Sequence, residues 1–498
     1  MNISAENIKL IFGLKVKELR HEHNFSLAKL SDITGISKSY LNEIEKGKKY
    51  PKPEKITWLA RALDTTYEQL VSPHLSKRLA PISDLIQSNV LNELPLDFFG
   101  IEPIDLLALL SEAPTRFSAF VDAVIQIGRD HDLRVESLYF SVLRSYQEMY
   151  DNYFPELERL AKQCRKNMGI DPRNNNITEE LIEELTKTYR YSIEFDGFKN
   201  HPDLESVLYL LIPGHSPRLL INKAINRSQL LLLLARQLGL NILNIKDLPY
   251  TSSWVETRSF DHVLNNFRSF YFASALLLDE RIFTKGLVDF TKRTTFNPNE
   301  VIDLMESNNS SPEMYMLRIT NLVPHYFRFP QLFFVRYNHH LANDRIVLNK
   351  ALHGSGLDKS SRLNLGERAC QRWAADRSLK LLKSTQQRGQ YIRPICTIYQ
   401  VQYSESSLPY LIISVSGSVA DGSELNYCIS VGFLVNKRFQ ARINFSEDSA
   451  ISSHVVDMDW LAKNENRFED SLGSISNIQR ENELKVLRKK IHRLIDNL

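Results

Sequence analysis

Residues 27–70 read "LAKLSDITGISKSYLNEIEKGKKYPKPEKITWLARALDTTYEQL", three short apolar periods separated by turn residues. Ser26 stands just ahead, where a hydroxyl can accept one of the backbone N–H groups that a helix start leaves without a partner. The helix it opens carries Leu27, Leu30 and Ile33 at helical spacing and stops at Gly35. Ser37 caps the next helix, with Tyr40, Leu41 and Ile44 inward and Gly47 at its end. "EKITWLARALD" (54–64) and "TYEQLV" (66–71) continue the pattern. Upstream, "IKLIFGLKVKELRHEHN" (8–24) places Ile8, Ile11, Phe12, Val16 and Leu19 on one face of a first helix. The spacing predicts a five-helix unit over residues 8–71.

Two short helices joined by a tight glycine-containing turn form a helix-turn-helix, whose second helix enters the DNA major groove with its first residues against base edges. Those residues are Ser37, Lys38, Ser39, Tyr40 and Asn42, with Ser26 and Lys29 at the start of the preceding helix. Lys46, Lys48 and Lys49, followed by Lys52 and Lys55, supply the cations that phosphate contacts require. Residues 1–71 hold 12 Lys/Arg against 9 Asp/Glu, so this stretch alone is as basic as the whole chain, which carries +3. The run from Leu27 to Leu70 resembles the Cro/C1-type (XRE) helix-turn-helix family over all five helices. Where that family usually has a glutamine this chain has Ser26, so no base preference carries over. A helical bundle that binds protein is the alternative reading of the same pattern.

At 498 residues the chain exceeds one compact domain, and 43% hydrophobic with 24% charged residues is the balance of a soluble globular protein. The four cysteines, Cys164, Cys370, Cys396 and Cys428, form no CxxC pair, which suits reduced thiols in a cytoplasm. The N-terminus has no uninterrupted apolar core of a signal peptide, and the longest apolar stretch, 230–235, is far short of the roughly 20 residues that span a bilayer. A cytoplasmic protein with no membrane partner is expected.

Residues 72–190 read as a helical connector, opening on the linker-like "SPHLSKRLAP" and holding amphipathic stretches such as "IDLLALLS" and "FSAFVDAVIQIGRD". Tyr139, Val142, Leu143, Tyr146 and Tyr150 sit at core spacing there. In residues 191–335, the strand-like "YSIEFDGF", "SVLYLLI" and "PRLLIN" precede the leucine helix "LLLLLARQLGLNIL" (230–243) and then "NNFRSFYFASALLLDERIF". This order, with FAxxLL in the second helix, resembles the ImmA/IrrE-type metallopeptidase domain, whose first helix carries HExxH for zinc. On this chain the corresponding positions are Arg236, Gln237 and Leu240, and the further ligand falls on Arg268. Arginine does not deprotonate to bind metal, glutamine is no general base and leucine has no lone pair. None of the 13 histidines stands four residues from another. Zinc hydrolysis is therefore excluded on chemistry, and neither a catalytic nor a metal-binding residue is expected. Arg236 and Arg268 facing one another would suit an anionic ligand; an unrelated core helix is the other reading.

Residues 336–498 begin with a basic segment: 359–393 hold nine Lys/Arg and two Asp/Glu. "ICTIYQVQY", "YLIISVSGSV" and "NYCISVGFLV" then alternate as an antiparallel sheet would. "ELKVLRKKIHRLIDNL" closes the chain with an apolar stripe at helical spacing. Together the order of parts, "CQRW" (370–373) and "SYQEMYDNYFPELE" (145–158) are similar to the short-chain fatty acyl coenzyme A regulators, transcription factors of short-chain fatty acid, glyoxylate and propionate metabolism. That resemblance implies a CoA or acyl-CoA effector, with Arg368, Arg372, Trp373 and Arg377 as candidates for its phosphates; a solvated basic helix face is the alternative. It also raises an iron–sulfur cluster, but a glycine–cysteine pair expected on a later strand appears as Gly432 and Phe433, which argues against one.

The expected fold is thus a mainly α helix-turn-helix domain followed by α+β central and C-terminal domains, at 191–335 and 336–498. The expected function is a non-enzymatic, homodimeric transcriptional regulator of double-stranded DNA. An antitoxin or phage-type repressor controlled by a protein partner is the alternative.

Overall fold

The computed structural model describes residues 5–72, 135–174, 176–195, 197–199, 207–245, 260–353, 365–391, 393–406, 408–419, 423–448 and 451–470. "IDLLALLS", "FSAFVDAVIQIGRD", most of the "SPHLSKRLAP" linker and the closing stretch 483–498 lie outside them. The chain divides into two compact units, Met1–Leu133 and Arg134–Leu498.

The described part of the first unit is five helices: α1 (Ala5–Glu22), α2 (Leu27–Thr34), α3 (Lys38–Glu45), α4 (Pro53–Ala62) and α5 (Tyr67–Val71). Their apolar faces close on one core of Phe12, Val16, Leu30, Ile36, Leu41, Ile44, Ile56, Leu59, Leu63 and Leu70. Two expected core positions lie outside it. Ile8 is 40% exposed, a turn ahead of the buried stretch 11–16, and Ile33 is 46% exposed. On α2 the inward stripe ends instead on Thr34, whose hydroxyl donates to the Leu30 carbonyl, and Ile33 stands one position off it.

The second unit opens with α6 (Val135–Met149), α7 (Pro155–Asn167) and α8 (Thr178–Lys187). A three-stranded sheet follows in the order β1 (Ser192–Glu194), β3 (Arg218–Ile221), β2 (Tyr209–Ile212), parallel at the first pairing and antiparallel at the second. After it come α9 (Arg227–Ile242), opened by a capping box of Asn226 and Gln229, and α10 (Phe260–Leu277), which pack on one another. Helices α11 (Glu280–Thr291), α12 (Pro298–Ser307) and α13 (Pro312–Leu322) lead through a π-helical turn, Val323–Phe327, into the large sheet.

That sheet has seven strands: β4 (Leu332–His340), β5 (Arg345–His353), β6 (Ile395–Tyr403), β7 (Tyr410–Ser418), β8 (Leu425–Leu434), β9 (Ser453–Val456) and β10 (Phe468–Asp470). Their order is β10-β5-β4-β8-β7-β6-β9, antiparallel except for the two short edge strands. The three strands read from the sequence are the neighbours β8, β7 and β6; β4 and β5 are added beside β8.

Side chains alternate across the sheet, so each face packs on something different. Helix α14 (Leu365–Gln387) covers one face with Ala369, Trp373, Ala374 and Leu379 among Phe333, Val335, Val401 and Ile412. Leu411, Val415, Ile429 and Val431, on the opposite face, join a core that continues into the helices through Leu157, Leu234 and Phe272. The parts expected at 191–335 and 336–498 therefore share one core.

Within that core Arg318 of α13 meets Glu158 of α7 through two bonds, 2.5 and 2.9 Å, and Tyr271 of α10 donates to the same carboxylate at 2.8 Å. Tyr139 of the connector is buried as expected, whereas Tyr150 is 48% exposed at the end of its helix.

Candidate nucleic-acid interface

The exposed face of α3 is built by local chemistry. The Ser26 hydroxyl accepts the Lys29 amide at 3.1 Å, fixing the start of α2. At its end, Gly35 takes φ +69°, a left-handed conformation that costs a residue with a Cβ roughly 1–2 kcal/mol. Ser31 donates to the Ile36 carbonyl at 2.6 Å across this turn, and Ile36 fills the core beneath it. Ser37 then caps α3, its hydroxyl accepting the Tyr40 amide at 3.3 Å. The C-terminus of α3 closes through two reversed bonds, Gly47 N to Ile44 O and Lys48 N to Glu43 O, which turns the chain into the lysine loop.

The result separates two sides of α3. Leu41, Ile44 and Glu45 are buried, while Lys38, Ser39, Asn42 and Lys46 face solvent with Ser37, Lys48 and Lys49. Ser26 and Lys29 are likewise exposed. Tyr40 is half-buried, and the Lys55 ammonium from α4 lies 4.2 Å above its ring centroid. All ten residues read from the sequence for DNA thus belong to this unit, nine exposed and Tyr40 half-buried. Asn42 presents an amide able to bond adenine in two places, and the lysines present point charges for phosphates. Ser26 and Ser37 hold helix starts, so their oxygens already serve the backbone.

Two supports of α3 and one of α5 were not apparent from the sequence. Arg20 of α1 donates to both carboxylate oxygens of Glu45, at 2.6 and 2.9 Å, and to the Phe25 carbonyl at 2.7 Å. Gly13 lets α1 approach α3 so closely that a Cβ there would sit 2.3 Å from the Ile44 carbonyl oxygen. Lys15, its pKa lowered by burial against the opposing pull of Glu18, donates to the Gln69 and Ser72 carbonyls at 2.7 and 2.5 Å and so fixes the end of α5. A glycine inside an apolar helix face, and charges at buried spacings, are the signals that could have found them.

In the second unit the candidate effector residues disperse. Arg368 and Arg377 are exposed on α14; Arg372 and Trp373 are buried. The Arg372 guanidinium lies over the Phe468 ring at 5.3 Å, that of Arg377 over Trp373 at 5.1 Å. His454 packs on Trp373 at 4.4 Å, and its pKa is lowered by burial and by Arg377.

Arg236 and Arg268 do not converge. Arg236 donates to Asn266 at 3.0 Å, and Arg268 stands two positions on along α10, roughly 200° around it from Asn266. Gln237 and Leu240 are buried. The four cysteines are buried, and burial pushes the thiols of Cys164 and Cys370 up to about 12.

Residues 16–70 match the family model described as "Helix-turn-helix", so the first unit carries a helix-turn-helix DNA-binding domain. Two relatives are similar to the chain. One is the HTH-type transcriptional regulator SutR of Escherichia coli (strain K12), 25% identical over 138 residues, which span 26% of this chain and 76% of that protein. The other is the HTH-type transcriptional regulator AnsR of Bacillus subtilis (strain 168), 36% identical over 67 residues, 14% of this chain and 58% of that protein. A solved Mycobacterium tuberculosis transcriptional regulator superposes with a TM-score of 0.46 at 16% identity, over 64% of this chain and 88% of that one. No helix among the described residues is long and apolar enough to cross a membrane.

Proposed function

We propose that this protein is a transcriptional regulator that binds double-stranded DNA through α3 and is not an enzyme. The observation that carries this reading is the exposed row Lys38, Ser39, Asn42 and Lys46 on a helix that is capped at its start by Ser37 and pinned from behind by Glu45. Selection of bound duplexes from a random-sequence pool with the full-length protein tests it. Enrichment of one site, relaxed at one base pair by Asn42→Ala, is expected; retention of sequence-independent duplex only would overturn specific recognition.

A homodimer reading two half-sites follows from the common geometry of helix-turn-helix proteins. A selected site with a repeated half-site supports it; a single asymmetric site argues for a monomer.

For control, the reading is a CoA or short-chain acyl-CoA effector bound in the C-terminal part, without zinc or an iron–sulfur cluster. What supports it is the similarity in sequence and the two exposed arginines of α14, Arg368 and Arg377. A ligand binding the DNA-competent and incompetent states unequally shifts operator affinity by that difference. Acetyl-CoA and propionyl-CoA titrated into the protein–duplex complex should change its affinity; no change with either removes this effector class.

A further inference from the structure

The guanidinium of Arg236 has an incomplete set of partners. It leaves the middle of α9, and its Nη2 donates to Asn266 Oδ1 of α10 at 3.0 Å. Its Nε–H is shielded from water and meets no acceptor. No carboxylate pairs with it among the described residues. A guanidinium cannot escape this by losing a proton.

Three guanidiniums buried more deeply than the half-buried Arg236 have anionic or several partners, although Arg165 Nε likewise meets no acceptor. Arg20 has Glu45, Arg318 has Glu158, and Arg165 donates to three backbone carbonyls. A half-buried cation whose shielded Nε edge faces only neutral groups is an arrangement that an anion completes.

Around Arg236 the chemistry specifies the anion. Tyr209 of β2, 5% exposed, sets its phenol against the guanidinium, which donates to the phenol oxygen; burial raises that phenol's pKa and Arg236 opposes the rise, so the hydroxyl stays protonated and able to donate. The Nε–Nη2 edge of an arginine matches the two oxygens of a planar carboxylate.

We propose that Arg236, Tyr209 and Asn266 form a binding site for a small carboxylate at the α9–α10 seam. One ligand oxygen accepts from Arg236 Nε, and the other accepts from the Tyr209 hydroxyl or from Nη2, in place of Asn266 Oδ1. Arg268, roughly 200° around α10 from Asn266, takes no part.

The test is a thermal-shift and calorimetric titration of the full-length protein with sodium formate, acetate and propionate. Sodium chloride and inorganic phosphate at equal ionic strength are the controls. A saturable rise in melting temperature with one or more carboxylates, absent with chloride and phosphate, is expected. Arg236→Lys keeps the charge but loses the planar fork and should weaken binding at least tenfold; Tyr209→Phe should weaken it less. If Arg236→Lys unfolds, judged by its circular dichroism and unliganded melting, Tyr209→Phe carries the test alone.

Equal shifts with all salts, or undiminished binding by both variants, would overturn the proposal, as would silence from every carboxylate. Acyl-CoA thioesters have no free carboxylate on the acyl group. A response to them without a response to the simple acids therefore sinks this site and leaves the effector reading above intact.

Discussion

Arg20 of α1 and Glu45 at the end of α3 form a buried two-pronged ion pair, the guanidinium Nε and Nη2 each donating to one carboxylate oxygen. It bolts the helix bearing the exposed polar row to the helix behind it. Removing one member leaves the other charge stranded, which costs about 3–5 kcal/mol for a buried pair. Glu45→Gln should therefore destabilise the first unit strongly in a urea titration. The double variant Arg20→Met/Glu45→Leu should recover most of the loss, because apolar replacement of both partners is close to neutral. Equal stability of single and double variants would show that the pair is not coupled.

Ser37 separates stability from recognition. Its hydroxyl caps α3, so Ser37→Ala should cost about 1 kcal/mol. Ser37→Asp keeps a capping oxygen and adds a negative charge beside a helix start, which stabilises the fold. That same charge repels DNA phosphates. The aspartate variant should thus melt at or above the wild-type temperature while its duplex affinity falls; an affinity equal to wild type would place DNA elsewhere on the unit.

Asn42 and Lys49 are both exposed but differ in what they can read. Asn42→Ala should cost about 1–3 kcal/mol on the selected site and relax preference at one base pair. Lys49→Ala should weaken all duplexes alike and reduce the slope of log affinity against log salt by about 1. Fluorescence anisotropy over a salt series distinguishes the two. Identical slopes for Lys49→Ala and wild type would exclude a phosphate contact.

Gly13 and Gly35 fail for different reasons when a methyl is added. At Gly13 the backbone is helical but the new Cβ meets the Ile44 carbonyl oxygen at 2.3 Å, so α1 and α3 must part. Overpacking of this kind costs about 1–3 kcal/mol. At Gly35 nothing lies within 4 Å, and the penalty of Gly35→Ala is conformational, from φ +69° alone. Gly35→Asn should recover stability, since asparagine tolerates the left-handed region, whereas no substitution with a Cβ should be tolerated at Gly13. Chemical denaturation of Gly13→Ala, Gly35→Ala and Gly35→Asn orders them.

What could be read from the residues was what is local. Ser26, Gly35, Ser37 and Gly47 act within five residues of themselves, so the helix starts, the turn and the exposed face of α3 follow from spacing. Arg20 and Glu45 lie in sequence among ordinary surface charges, and only the packing of α1 on α3 brings them inside. Arg236 shows the same limit: its neighbour Asn266 sits on the next helix, and the rotation of α10 turns Arg268 away. In the large sheet, β6, β7 and β8 alternate and are joined by turns. β4 opens with the continuous apolar run "LFFV" and pairs with β8 some 90 residues later, so no local period marks it. The short parallel edges β9 and β10 carry even less pattern.

Glu313 gives the second unit a predictable response to acid. This half-buried carboxylate on α13 is paired with Lys350 of β5 at 3.2 Å and with Arg336 of β4. Burial alone would raise its pKa, but the ammonium and guanidinium outweigh that and hold it below the ordinary carboxylate range. A carboxyl with a depressed folded-state pKa contributes stability that is present above its unfolded value, about 4.3 for glutamate, and is lost as pH falls through the folded value. Wild-type stability should therefore decline below about pH 4.3 in part because Glu313 must take up a proton. Glu313→Gln removes that proton uptake, and it leaves Arg336 and Lys350 with only a neutral amide between them. The variant should be less stable than wild type at pH 7, and the gap should narrow as the pH is lowered toward 3. Guanidinium chloride titrations at four pH values measure both curves; a gap that stays constant with pH would show that Glu313 is not the titrating group.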